Sequence, residues 1–463
     1  MSSNAAVSTS TLSTKPSKVC IIIGHSIEAI TSSVVLASLD HTVHLYADLA
    51  VLEQQVEQYG FEHHLQALWQ MYCQQQQIVC SALPDSADKL INHYESTAES
   101  SLSQTQDKNL NKNKRVDISC YWLFLDSISK VWADDNWIVA FNHSHQQTIP
   151  IVMSGIEKLG RVTKLAEGLQ RAWVYYVPFV FLQDGEAYSS MLKPSLWLLG
   201  EKTPDSSHHL AVLQPLIQQA RAYHHTDIAT IEFARSSIMA MLATRVSFMN
   251  ELSRLADSQQ VDIGEVSRIM GLDARVGSSY LQAGWGFGGN TLPTELNKLQ
   301  QSGQENSVNM PLLQSVLHIN NDQKELIFRK FWQHFDGFID NKTVTIWGGS
   351  YKSGSGRTTG SAIHPLLALL WSYNIKTLVY SDKAKNSLAK HYSEQPLLQL
   401  LDSPYEQLDD AQALFIISLS PQHQLDIAQL NQQAMPIFDA QNALSRAQIK
   451  ALVGSYVGIG RAK

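Results

Sequence analysis

Gly271-Leu-Asp-Ala-Arg-Val-Gly277, followed by Ala283-Gly-Trp-Gly-Phe-Gly-Gly289 and Asn290-Thr-Leu-Pro-Thr-Glu295, is the stretch from which the rest of the chain can be read. Four glycines in the six positions from Gly284 to Gly289 remove Cβ atoms where a backbone must approach another surface closely, which an ordinary loop does not need. Just upstream, Thr226 to Asp257 carries the longest helical pattern in the chain. Ile231, Ala234, Ile238, Met241, Leu242, Val246, Met249 and Leu252 recur mostly at three- and four-residue steps, with no Gly or Pro inside.

On the N-terminal side, Lys18-Val-Cys-Ile-Ile-Ile-Gly24 reads as a buried parallel strand, helical spacing runs from Ile27 to Leu39, and Thr42-Val-His-Leu-Tyr46 reads as a second strand. Strand patterns resume at Val116 to Leu125 and Thr148 to Met153. Beyond the helix, Lys342-Thr-Val-Thr-Ile-Trp-Gly-Gly349 opens a second such unit. A helix at Ile363 to Trp371 and strands at Thr377 to Tyr380, Leu414 to Ser418 and Pro436 to Phe438 follow. The fold expected is α/β, with two Rossmann-like parallel-sheet domains joined by a central helical domain with one long helix. The expected divisions are a disordered tail (1–17), a first sheet domain (18–215), the helical domain with the glycine loop (216–335) and a second sheet domain (336–463).

Composition narrows the function. A chain of 463 residues exceeds one core of usual size, and a formal charge of −7 without a long basic run argues against a nucleic-acid surface. Cys20, Cys73, Cys80 and Cys120 show no CxxC spacing, so neither a disulfide framework nor a zinc site is indicated, and no metal is expected; they read as core thiols in a reduced compartment. No apolar run reaches the roughly 18 residues of a membrane span. Met1 to Lys18, rich in Ser and Thr, reads as a tail and not a signal peptide, and Glu95 to Arg115 as a polar surface loop.

The glycine loop resembles the active-site loop of the UDP-glucose/GDP-mannose dehydrogenase family, where G-x-G-[FY]-G-G is followed by S-C-F-P-K-D. Thr291 stands at the cysteine and Glu295 at the aspartate. Leu242-Ala-Thr-Arg-Val-Ser-Phe-Met-Asn-Glu251 is similar to the family's L-A-T-K-I-S-F-I-N-E, and the preceding K-Y-A-x-N places a lysine at Arg235 and an asparagine at Met239. Tyr175 to Gly185 resembles N-P-E-F-L-x-E-G, with Asp184 replacing the second glutamate and Val180, read as core packing, at the first. In the C-terminal unit, Gly348 to Ala362 keeps Tyr351, Lys352 and Ser361 of G-x-x-[FY]-K-P-x-T-D-D-x-R-E-S-P. Gly356-Arg357 replaces the acidic pair, and Gln441 replaces the arginine of D-G-R-N.

That resemblance implies NAD at Gly24, Ser26, Ala29 and Asp48, although Ser26 puts a Cβ where the pyrophosphate would meet backbone and Asp48 lies one place late for the ribose. It implies a UDP- or GDP-linked sugar at Arg275, Tyr280, Gly284, Phe287, Gly288 and Lys352, a homodimer through the long helix, and a bacterial cytoplasm. Tyr280, Trp285 and Phe287 fit either a sugar or uracil platform or loop packing. Family members oxidise a sugar C6 alcohol to a carboxylate with two NAD molecules, through a cysteine thioester. Threonine offers no thiolate, and an arginine at 235 stays protonated. Glu295 is a candidate base for Thr291, with a solvated charge after a proline turn as the preferred reading. The expectation is a family member without this oxidation, holding whatever it binds between the glycine loop and the C-terminal domain. An NAD-dependent oxidoreductase of altered scope and a pure interaction module are the alternatives.

Overall fold

The computed structural model describes residues 18–59, 62, 64–99, 117–128, 132, 136–145, 147–420, 423 and 425–461. The expected tail and positions 100–115 of the expected polar loop lie outside these. Its first part is a correction: a helix, Ala87–Glu99, runs through 95–99.

Eight strands form the first sheet: β1 (Lys18–Ile23), β2 (Thr42–Ala47), β3 (Ile78–Ala82), β4 (Asp117–Phe124), β5 (Ile151–Ser154), β6 (Val174–Tyr176), β7 (Trp197–Glu201) and β8 (Tyr223–Asp227). Their order is β3-β2-β1-β4-β5-β6-β7-β8, parallel throughout except between β6 and β7. The second sheet holds β9 (Thr343–Trp347), β10 (Lys376–Tyr380), β11 (Leu398–Leu401), β12 (Ala413–Ile416), β13 (Ile437–Asp439) and β14 (Tyr456–Gly458), in the order β11-β10-β9-β12-β13-β14. The fold is therefore α/β with two parallel-sheet units. Each sheet reverses strand order beside its first strand, and the crevice beyond the carboxyl ends at such a point is where ligands bind in open sheets.

Apolar residues fill both faces of β1 because helices cover both. Cys20 and Ile22 enter one core while Val19, Ile21 and Ile23 enter the other. Cys20 pairs across the strands with Cys120, both fully buried, but Cys73 and Cys80 are half-buried, so only two of the four thiols are core residues.

A 32-residue helix, Ile228–Gln259, leaves the end of β8. Its start is fixed by Asp227, whose carboxylate accepts from Thr230 N at 2.8 Å. The apolar stripe differs from the expected one: Met241 is 60% exposed, while Glu232, Arg235, Ser236 and Asn250 are buried. Helices Thr291–Glu305 and Pro311–His334 pack on the long helix through Ala240, Ala243, Leu296, Leu299, Leu313 and Val316. No helix among the described residues is long and apolar enough to cross a membrane.

Candidate functional site

The surface that the glycine loop approaches is protein. A Cβ at Gly288 would lie 2.5 Å from Gly360 O and 2.9 Å from Tyr351 Cβ, and one at Gly286, where φ is +94°, would lie 2.7 Å from Asn320 Oδ1. Gly289 N donates to Thr359 O at 3.0 Å. Side chains hold the rest of the loop backbone. Gly284 N donates to Asn250 Oδ1 (2.9 Å), Gln323 Nε2 donates to Gly284 O (2.7 Å), and Asn320 both accepts from Phe287 N (2.7 Å) and donates to Phe287 O (3.1 Å). Trp285 and Phe287 are buried in apolar clusters. Tyr280 remains exposed. Arg275 is on the surface, gripping its neighbour Asp273 with two contacts of 3.0 and 2.7 Å.

Thr291, the first residue of its helix, faces a cleft of about 450 Å3 lined also by Ser26, Glu28, Phe124, Asp126 and Arg235. Its Oγ1 makes no hydrogen bond among the described residues. Next to it Arg235 and Glu295 form a buried ion pair, Nε to Oε1 2.7 Å. Glu295 is 1% exposed, which corrects its reading as a solvated charge: the first turn of its helix is pressed onto the long helix and carries 295 inward. Ser236 Oγ donates to Glu295 Oε2 at 3.1 Å, and Arg235 Nη1 donates to Gly155 O at 2.6 Å and to the Tyr176 hydroxyl at 3.3 Å. Burial disfavours the Arg235 charge, but Tyr176 and Glu295 outweigh it and hold the pKa above the usual value. The guanidinium therefore cannot accept a proton, and the carboxylate is already engaged.

A third arginine-centred contact closes the cleft. Arg357, on the segment following β9, forms an ion pair with Asp184 of the first sheet unit and lies between the rings of Tyr59 and Tyr351, 5.1 and 5.5 Å from their centres. It also donates to the Tyr59 hydroxyl at 3.2 Å and that of Tyr351 at 3.4 Å. Beside it is a second cavity of about 240 Å3, with Gln55, Gln58, Asn290 and Thr359 in its wall.

Residues 229–322 match the central domain of the UDP-glucose/GDP-mannose dehydrogenase family. Over its long helix and glycine loop the chain therefore resembles that family. It is 29% identical over 288 residues to a UDP-glucose 6-dehydrogenase of Pseudomonas aeruginosa, covering 61% of this chain and 64% of the relative. A putative UDP-glucose 6-dehydrogenase of Bacillus subtilis is 26% identical over 290 residues, with 61% and 65% covered. The matches thus span just under two thirds of those relatives' length. A UDP-glucose dehydrogenase structure from Pyrobaculum islandicum superposes with a TM-score of 0.75 over 98% of this chain and 100% of that one, at 17% identity, and shares the fold.

The family's dinucleotide would meet the turn after β1. Gly24 there has no room for a side chain, since a Cβ would lie 2.7 Å from Phe124 Cβ. Ser26 caps helix Ile27–Ser38, its Oγ accepting from Ala29 N at 3.4 Å, so that amide is already turned to a protein acceptor. Asp48 caps the next helix, Leu49–Gln58, accepting from Ala50 N (3.1 Å) and Val51 N (3.2 Å). Two carboxyls face the cleft. Asp126, open on one side but walled by protein on the others, is pushed up to about 6 by burial first and by Glu28 next. Both nearby guanidiniums are already paired, so these residues do not fit a pyrophosphate. No group of three or more metal-ligating side chains occurs among the described residues.

Lys352 is exposed, whereas Ser361 is buried and donates to Gly349 O at 3.0 Å. Gln441 accepts from Leu419 N at 2.9 Å and donates to Ser353 Oγ, so it ties loops together at the end of the second sheet. Sequence reasoning missed Glu28, Asp126 and the Arg357–Asp184 bridge. Glu28 was within reach of it, as a charge in the first turn of the nucleotide-type helix.

Proposed function

We propose that this chain does not carry out the NAD-dependent oxidation of a sugar C6 alcohol to a carboxylate and acts as a nucleotide-sugar-dehydrogenase-like binding scaffold. The observation that carries this reading is the buried Arg235–Glu295 pair beside Thr291. A nucleophilic route needs a thiolate or a hydroxyl activated by a base; no cysteine lines this cleft, and Glu295, the carboxylate of Thr291's own helix, is already taken up by Arg235. Several losses within one catalytic unit leave little rate to recover.

A nucleotide sugar, the substrate class in the relatives' names, is the ligand we assign, held weakly between the glycine loop and the C-terminal segment. The scaffold works as a homodimer through the apolar face that the long helix leaves exposed. Purified protein incubated with NAD and a panel of UDP- and GDP-sugars is expected to give no reduced nicotinamide and no uronic acid above a buffer blank. Uronic acid formed from any of these sugars would overturn the proposal and favour an oxidoreductase of altered scope.

A further inference from the structure

Among the described residues the cleft facing Thr291 carries four charged side chains besides His25: Glu28, Asp126, Arg235 and Arg357. Arg235 is neutralised by Glu295 and Arg357 by Asp184. Glu28 makes no hydrogen bond or ion pair among the described residues, and Asp126 has no cationic partner in contact. The unbalanced charge of the cleft is therefore negative. Its place matters. Glu28 stands in the first turn of helix Ile27–Ser38, where backbone N–H groups and the helix dipole favour an anion, and where a dinucleotide in this fold class puts its pyrophosphate.

We infer that Glu28 and Asp126 bar a dinucleotide from this cleft, the chain's own carboxylates supplying the anionic charge that a bound pyrophosphate would bring. The helix N-terminus then loses its attraction for a second anion, and that anion meets two like charges in a partly enclosed space, where water screens poorly. Ser26 adds to this by occupying the Ala29 amide. The pair acts as a specificity determinant. It goes beyond the absence of oxidation proposed above, which rests on Thr291 and the Arg235–Glu295 pair.

Calorimetry on the full chain tests the inference, with NAD and inorganic pyrophosphate as probes. The unaltered protein is expected to bind neither in the micromolar range. The double variant E28Q/D126N is expected to bind pyrophosphate at least about tenfold more tightly, an advantage that shrinks as salt is added. Adding S26G should extend the gain to NAD. E57Q, an exposed carboxylate on the neighbouring helix, serves as the control and should change nothing. Micromolar NAD binding by the unaltered protein would overturn the inference while leaving the proposed loss of oxidation intact. So would a folded double variant no tighter than its parent. Should that variant melt early, E28Q alone decides: its side chain has no hydrogen bond or ion pair to lose among the described residues, and a gain of severalfold supports the inference while no gain refutes it.

Discussion

Arg235 and Glu295, at two positions where the resemblance expects reacting groups, form a buried ion pair. Two charges removed from water are tolerable only together, because each neutralises the other's field. R235A is expected to strand Glu295 and lower stability by about 3–5 kcal/mol in denaturant titrations, while the paired replacement R235M/E295L should lie near neutral. Equal losses in the two variants would show that the pair is not what holds this spot. The sequence hid the pair because the two residues lie on different helices. Pro293 also makes the stretch after Asn290 look like a turn, although proline is tolerated in the first turn of a helix and here Thr291–Glu305 begins.

The long helix was legible in extent and misleading in its face. Its uninterrupted spacing without Gly or Pro located it within two residues at each end, but the buried side holds polar residues that serve loops. Glu232 accepts from Val162 N (2.9 Å) and Thr163 N (3.0 Å), and Asn250 holds Gly284. A hydrophobic count cannot register such positions. Strand β1 was easier, being apolar on both faces, whereas β11 and β14, four and three residues long, are too short to establish a period. Phe233, Met241, Phe248 and Leu255, seven or eight residues apart, leave an apolar stripe along about 33 Å of helix. If two copies meet there, M241E/F248E should halve the mass seen by light scattering with little change in melting temperature. An unchanged mass would remove this stripe as the contact.

At the scale of the whole molecule, two sheet units are joined by the long helix and clasped by Arg357. Both units were legible because each opens on an apolar strand ending in glycine, at Gly24 and Gly348. The clasp was not, since Asp184, Tyr59 and Arg357 come from distant parts of the chain and share no local pattern. R357A removes the ion pair and both ring contacts at once. The variant is expected to show a larger radius of gyration in small-angle scattering and faster proteolysis near residues 350–360, with secondary structure retained. An unchanged radius would mean that the long helix and the glycine loop keep the halves together without the clasp.

The contact of Gly288 and Gly289 with Tyr351 and Gly360 has a consequence for classification. Even one methyl group at position 288 would wedge these segments apart, so the glycines are required by assembly whether or not a sugar is ever turned over. The motif by which such chains are recognised can therefore outlive the reaction it is associated with, and its presence certifies an intact joint before it certifies a working catalyst.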